Sequence, residues 1–449
     1  AENFLNKQKK LIKYNNNNNK KINIADVQLC IRNLYHSFTD KRWIIKFNDK
    51  IEDVKFTNRK DLFNLFNKGP VTPDHVIRIK SEPLIIPNKH LSSSKMISNH
   101  FGPYIKKYKN YFKKYKKNIT NSKIADPLPR IIILEGIGFL SIGLNKKEMQ
   151  VSYDIFDAMK KVIIKANLVS KFKSINNTDI FKMEYWPLER AKLNNQNTKK
   201  FNGNVAVITG GAGKIGSAIA NKFINENIEV ILLDKNFKNL DINIKKKCLC
   251  IECDLTNNSQ INKALNKVLK LFGGIDILIA NSGAAFQGSM LNVKKDILEK
   301  SLEVNFYSHH NIVQKIANIM VSQGFGGSIS LNLSKQSINP GKDFGPYGIA
   351  KASSLFSMKQ YALEFGKYNI RVNGINADRI KSGLLTDQFI KERAKARNMS
   401  SAEYLNNNLL QKQVTAEDVA EAFFAQLSFE KTTGNIITVD GGNIEASLR

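Results

Sequence analysis

Apolar residues fall into two patterns along this chain: short unbroken runs, and stripes spaced three or four apart. The runs dominate beyond residue 200. Val205–Thr209, Val230–Leu233, Cys248–Cys253, Ile275–Ala280, Ser328–Leu331, Arg371–Ile375 and Ile436–Val439 each read as a strand. Helix-periodic segments lie between most of them. Alternation of this kind predicts an α/β fold with a doubly wound parallel sheet across residues 201–449. Residues 25–192 mix both patterns and predict a smaller α/β domain. Within it, Arg130–Leu134 reads as a buried strand and Gly136-Ile137-Gly138 as the turn after it. Met149, Ile155, Met159, Ile163 and Ile164 mark the apolar face of a helix from Lys146 to about Ala166. Residues 1–24 are rich in Lys and Asn and predict a flexible basic arm, and Leu193–Lys200 reads as a polar linker.

Composition sets bounds on this picture. With 449 residues, 42% of them hydrophobic, the chain can build two or three domains of roughly 150 residues each. No apolar run reaches the roughly 18 residues of a membrane span. No hydrophobic segment follows the lysines of the opening ten residues, which argues against a signal peptide. The missing first Met predicts a processed product or a fragment. Cys30, Cys248, Cys250 and Cys253 are expected to be buried thiols in a reducing, cytoplasmic location. The run Cys248-x-Cys250-x-x-Cys253 has no fourth ligand nearby in sequence, so no metal is expected there.

The formal net charge of +30 raises the question of nucleic acid. Residues 1–200 hold 40 Lys and Arg against 17 Asp and Glu, and the rest hold 29 against 22. The excess therefore lies mainly in the N-terminal half, together with Asn runs such as Asn15–Asn19. That is read as a Lys/Asn/Ile-biased composition rather than a polyanion-binding surface. Tyr104, Tyr108, Tyr111, Phe112 and Tyr115 interleave with lysines, as single-strand binders do. At this helical spacing they predict an amphipathic helix instead.

Two groups of residues carry chemistry. Gly211, Gly213 and Gly216 form Gly-x-Gly-x-x-Gly after the strand Val205–Thr209, with Gly210 just before them. Glycines there allow a tight turn and close backbone approach to a pyrophosphate. The helix opening at Lys214 and Ile215 then offers N–H donors and a favourable dipole. Asp234 ends the next strand, 18 residues after Gly216. A carboxylate there accepts ribose hydroxyls and repels a 2′-phosphate, which predicts NAD rather than NADP, although Lys214 and Lys235 work against that preference. The second group is Ser334, Tyr347 and Lys351. Tyr347 and Lys351 are four apart and share a helix face, and Ser334 lies 13 positions before the tyrosine. A phenol beside an ammonium and a hydroxyl can move a proton to or from an alcohol.

With these motifs in order, residues 201–449 resemble the short-chain dehydrogenase/reductase family. Asp254-Leu255 resembles its acidic–apolar pair beside the adenine, and Asn281-Ser282-Gly283 its Asn-Ala-Gly motif. Asn305 resembles the helix asparagine of a catalytic tetrad that Ser334, Tyr347 and Lys351 complete. Thr433-Gly434 and Val439–Gly442 resemble its C-terminal strand signature. Two positions depart: Lys214 stands where the usual pattern has glycine, and Ala377-Asp378-Arg379 replaces the usual Pro-Gly. The resemblance extends upstream. Gly69–Arg78, Asp126–Arg130, Met183–Leu193, Ser334-Lys335-Gln336 and the ending Asp440–Asn443 are similar to bifunctional class II aldolase/short-chain dehydrogenases of the rhamnulose-1-phosphate aldolase/alcohol dehydrogenase kind.

A class II aldolase holds zinc with a histidine cluster. Here His36, His75, His90, His100, His309 and His310 form no His-x-His pair, and Glu135–Leu140 resembles an aldolase segment without its histidine. Residues 25–192 are thus expected to be an aldolase-like connecting domain with no metal site, the aldolase head being absent from the N-terminus. The resemblance implies that Tyr347 is the general acid/base and that Lys351 lowers its pKa and binds the nicotinamide ribose. It implies that Ser334 polarises the substrate oxygen and that Asn305 supports a water and the lysine. Lys381–Gln413, with Phe389, Arg393, Arg397, Met399, Glu403 and Tyr404, is expected to cover the substrate. The implied activity is NAD-dependent interconversion of a small alcohol or polyol with its aldehyde or ketone, with lactaldehyde and 1,2-propanediol as the pair the resemblance offers. It also implies a homo-oligomer, while the apolar runs and the charge distribution predict no membrane and no nucleic-acid partner. An epimerase or dehydratase, a binder of RNA or membrane surfaces, and an NAD-binding scaffold with a vestigial site are the alternatives.

Overall fold

The computed structural model describes residues 13–15, 22–118, 123–191, 193, 199–383 and 385–442. Most of the expected arm, the centre of the expected linker, Lys192 and Asn443 lie outside the described residues. The chain divides into two compact units, residues 1–203 with 269–274, and residues 204–268 with 275–449.

The first unit is built on a four-stranded mixed sheet. Its strands are β1 (Ile44–Asn48), β2 (Leu84–Ile86), β3 (Ile131–Leu134) and β4 (Gly138–Gly143), in the order β1-β4-β3-β2. Only β2 and β3 pair in parallel. The turn between β3 and β4 needs Gly138, whose φ is +147° and where a Cβ would fall 2.3 Å from the Asn48 carbonyl oxygen. The helix Lys146–Val169 starts at Asn145, which caps the Glu148 N–H, and buries Met149, Phe156, Met159 and Ile163. The last three pack with Ile131, Ile133 and Phe139 of the sheet.

The tyrosine-rich stretch forms the helix Phe101–Tyr115. Its aromatic rings point inward: Tyr111, Phe112 and Tyr115 pack on Phe181, and the Tyr108 hydroxyl donates to Glu184 at 2.6 Å. His75 is buried, with Nδ1 2.6 Å from the Thr72 hydroxyl. His90 and His100, ten residues apart, face each other ring nitrogen to ring nitrogen at 2.8 Å. Among the described residues no group of three or more His, Cys, Asp or Glu side chains is placed to hold a metal ion.

The second unit is a seven-stranded, all-parallel sheet. Its strands are β5 (Val205–Thr209), β6 (Glu229–Asp234), β7 (Leu249–Glu252), β8 (Ile277–Ala280), β9 (Gly327–Asn332), β10 (Ile370–Ala377) and β11 (Ile436–Val439). They run in the order β11-β10-β9-β8-β5-β6-β7. The central strands β5 and β8 are wholly buried, as unbroken apolar runs between helix layers must be. β7 at the edge is only half-buried, which corrects one expectation: Cys248 and Cys250 are half-buried, as is Cys30, and Cys253 alone is buried. The chain winds outward from β5 to β7 and then returns to place β8 on the other side of β5. That reversal opens a crevice at the carboxyl ends of β5 and β8, the place where open α/β sheets bind ligands. Among the described residues no helix is long and apolar enough to cross a membrane.

Candidate active site

The glycine-rich turn sits in that crevice. Gly210 follows β5 with φ +61°, and the Asn281 side-chain amide, beyond β8, donates to the Thr209 and Gly210 carbonyls at 3.1 and 3.3 Å. A Cβ on Gly216 would lie 2.2 Å from the Gly210 carbonyl oxygen, and one on Gly211 would lie 2.7 Å from the Leu232 side chain. Gly213 has more room, 3.4 Å from the same carbonyl. It is the N-cap of the helix Lys214–Asn225 and supplies no capping side chain, so the first-turn amides of Lys214, Ile215 and Gly216 are left for another acceptor.

Asp234 ends β6, and its carboxylate accepts from the Ala212 N–H at 2.9 Å and the Lys235 N–H at 2.7 Å. The Lys235 ammonium turns away to Asp254, 2.9 Å distant. Burial raises the Asp254 carboxyl, but hydrogen bonds from Lys235 and Thr256 outweigh it and hold the group below its usual range. Leu255, buried beside it, shares a small cavity with Asp234 and Gly210. Lys214 lines a different cavity, with Ser217 and Lys381.

Tyr347 and Lys351 lie in the first turns of the helix Gly345–Phe365, which Pro346 opens. They are 8% and 3% exposed. The Lys351 ammonium donates to the Asn332 carbonyl at 2.8 Å and lies 5.8 Å from the centre of the Tyr347 ring. Burial brings the ammonium down to about 8 and pushes the phenol up to about 12, the latter opposed by a hydrogen bond with Ser334.

Asn305 occupies a π-helical turn, Glu303–Tyr307, and is fully buried. Its carbonyl accepts from the Ser354 hydroxyl at 2.9 Å. Its amide clamps Ala284, accepting from the N–H and donating to the carbonyl, both at 3.0 Å. Asn305 thus fixes the loop after β8. Gly283 lies against it, and a Cβ there would stand 3.0 Å from the asparagine side-chain oxygen. Ser334 caps the short turn Lys335–Ser337, accepting from the Gln336 N–H at 3.3 Å.

A cavity of about 660 Å³ joins these parts, lined by Ile215 of the glycine turn and by Asn332, Ser334 and Tyr347. The helices Asp387–Lys395 and Ser401–Asn406 contribute Phe389, Arg393 and Tyr404 to its wall. Met399 and Glu403 of the same stretch are not among its lining residues. In the departing segment Ala377-Asp378-Arg379, the arginine takes φ +54° and Asp378 pairs with Lys335 at 3.1 Å.

Sequence reasoning missed two residues. Asn332 positions Lys351 through its carbonyl and reaches Asn281 through its amide at 2.9 Å, while its buried Oδ1 has no hydrogen-bond partner. Its place at the carboxyl end of a central strand was the available signal. His309 is buried with Nε2 2.7 Å from the Ser282 carbonyl, and burial with the nearby Lys351 charge depresses it to about 3. It is neutral at pH 7.

Residues 210–443 match the family described as enoyl-(acyl carrier protein) reductase, and residues 23–193 match the class II aldolase second domain. The uncharacterized oxidoreductase YuxG of Bacillus subtilis (strain 168) is 28% identical over 425 residues, covering 90% of this chain. The chain spans 61% of that relative's length. Dehydrogenase/reductase SDR family member 4 of Bos taurus is 30% identical over 176 residues, 38% of this chain and 63% of that one. Among solved structures, NAD+-bound xylitol dehydrogenase shares the fold with a TM-score of 0.51 at 23% identity, covering 54% of this chain and 100% of its own.

Proposed function

Since the chain belongs to the short-chain dehydrogenase/reductase family and is an NAD(P)-dependent oxidoreductase carrying a class II aldolase second domain, we propose that it uses NAD to interconvert a small alcohol or polyol with its aldehyde or ketone. The observation that carries this reading is the single cleft onto which Ile215 of the glycine turn, Ser334 and Tyr347 all open. The residues present suit a dinucleotide. A side chain at Gly216 or Gly211 would fill the turn, and the uncapped helix amides suit a pyrophosphate. Gly210, Gly211, Gly213, Lys214, Ile215 and Gly216 would hold the phosphates through their backbone. Asp234 would take the adenosine ribose, with Asp254, Leu255, Asn281 and Gly283 lining the adenine-to-nicotinamide path. The preference for NAD is supported by Asp234 and by the engagement of Lys235 with Asp254.

When bound, the nicotinamide supplies or accepts the hydride. In the reducing direction Tyr347 gives its proton to the oxygen of the carbonyl as hydride reaches the carbon. In the oxidising direction the phenolate takes the alcohol proton back. Ser334 donates a hydrogen bond to the same oxygen. Lys351 gives one donor to Asn332, leaving others for a ribose hydroxyl, and its charge stabilises the phenolate. Asn305 acts one step away, by holding the loop that carries Gly283.

The resemblance offers lactaldehyde and 1,2-propanediol as the substrate pair, and the test starts there. The purified chain is mixed with NADH and lactaldehyde, and with NAD and 1,2-propanediol among other small alcohols, following reduced nicotinamide by absorbance. The expected result is turnover faster with NADH than with NADPH, lost in Tyr347→Phe while cofactor binding persists. Retained turnover in that variant would reject the assignment of Tyr347, and NAD binding without any turnover would favour a scaffold.

A further inference from the structure

Five cations line the cleft that holds Ser334 and Tyr347, namely Lys335, Lys342, Arg379, Arg393 and Arg397, against a single carboxylate, Asp378. That carboxylate is already matched, by Lys335 at 3.1 Å and by Arg379 Nε at 3.6 Å. Arg379 also donates Nη1 to the carbonyls of Tyr404 and Asn407 at 3.2 and 2.8 Å, so it serves the wall of the cleft. Lys342, Arg393 and Arg397 have no carboxylate partner among the described residues.

Arg393 is also held in place. Its guanidinium carbon lies 4.8 Å from the centre of the Phe344 ring and 5.1 Å from that of the Phe389 ring. Phe344 in turn meets Tyr347 edge-on, with 6.3 Å between centroids. The arginine therefore stands one aromatic ring away from the phenol. Among the described residues the Arg393 guanidinium donates no hydrogen bond, which leaves its N–H groups for a bidentate oxoanion. Arg397, four residues on, donates Nη1 to the Arg393 carbonyl at 3.3 Å and brings a second guanidinium to the same cleft. Two cations without a carboxylate partner on one cleft wall favour a bound anion.

We propose that the substrate carries an oxoanion, a carboxylate or a phosphate, which Arg393 and Arg397 hold while its alcohol or carbonyl carbon reacts at Tyr347. The position of the reacting carbon rests on the dehydrogenase reading above, whereas the anion site does not. On this inference a neutral diol is a poor member of the substrate class.

The test uses the full chain and matched pairs: 1,2-propanediol against its 1-phosphate, and 1,3-butanediol against 3-hydroxybutyrate. The anionic member is expected to be favoured at least ~10-fold in kcat/KM, and the pair with the larger ratio tells phosphate from carboxylate. Arg393→Met is expected to lower the ratio of kcat/KM for the anionic member to that for the neutral member by about 10- to 100-fold, with Arg393→Lys recovering part. Arg397→Met gives a second, more exposed site if the first variant melts early. Equal preference, or a KM for NAD that rises alike with both members, would overturn the proposal, the second result assigning Arg393 to the cofactor. If no pair turns over, saturation-transfer NMR of 3-hydroxybutyrate and of the diol phosphate decides. Arg393-dependent contact then keeps the anion site and discards the dehydrogenase reading, and no contact with either anion discards the site.

Discussion

Lys351 carries an ammonium at 3% exposure with one carbonyl acceptor, and burial brings it down to about 8 from an ordinary value of 10.5. Between those two pH values the unfolded chain binds a proton that the folded one does not, so this group's contribution to stability rises with pH through that window. Tyr347 acts oppositely and later. Its phenol keeps its proton to about 12, so its contribution falls between pH 10 and 12. Removing the lysine charge separates the two. Without cofactor, Lys351→Met is expected to melt above the wild type at pH 7, and the difference is expected to shrink by pH 10, as thermal melts at both values would show. A difference independent of pH would mean that the lysine is not held charged against its burial. Tyr347→Phe is expected to lower kcat by about 10²- to 10⁴-fold, the usual worth of a general acid/base. Spacing made Ser334, Tyr347 and Lys351 legible in the sequence, because helix geometry alone puts two of them on one face. The direction of the Tyr347 shift was not legible, since it comes from packing that the spacing does not encode. Asn332 was hidden for a related reason: it positions Lys351 through a backbone carbonyl, which any residue type supplies.

Among the elements, the turn between β5 and the helix Lys214–Asn225 has glycines of unequal tolerance. At Gly216 an added methyl would meet the Gly210 carbonyl at 2.2 Å, a backbone atom that cannot swing aside, whereas at Gly213 the same addition finds 3.4 Å. Gly216→Ala is expected to weaken NAD binding at least ~10-fold through a displaced turn, and Gly213→Ala by no more than about 3-fold. Isothermal titration of both variants checks the contrast, and equal losses would show that Gly213 itself meets the pyrophosphate. Strands such as Val205–Thr209 and Ile436–Val439 stand where the apolar runs place them. Beyond β10 the chain forms two helices whose caps are written in the sequence, Thr386 before the first and the Ser400–Glu403 capping box before the second. The π-helical turn at Asn305 left no such mark, because one extra residue in a helix changes neither composition nor apolar spacing enough to be read.

For the whole molecule, the alternation of strands and helices announced the parallel sheet of the second unit, since βαβ crossovers are local in sequence. The mixed sheet of the first unit was not announced. There β1 pairs with β4, with β2 and β3 between them in sequence, and short apolar runs do not say which distant run they will meet. The division has a testable consequence for cofactor binding. Every residue assigned to the cofactor, from Gly210 to Lys351, belongs to the second unit, around the crevice where β5 and β8 diverge. A ligand that binds only the folded state adds RT ln(1 + [L]/Kd) to its stability, about 2.7 kcal/mol at a hundred times Kd. Saturating NAD is therefore expected to slow amide hydrogen exchange in peptides covering Gly210–Gly216, Asp234 and Asn281–Gly283, with β1–β4 of the first unit unchanged. Peptides from the Gly216→Ala variant should show a smaller slowing at the same NAD concentration, about 1.4 kcal/mol for a ten-fold weaker Kd. Slowing of equal size in β1–β4 would mean that the cofactor draws on both units, and the assignment of its site to the parallel sheet alone would fail.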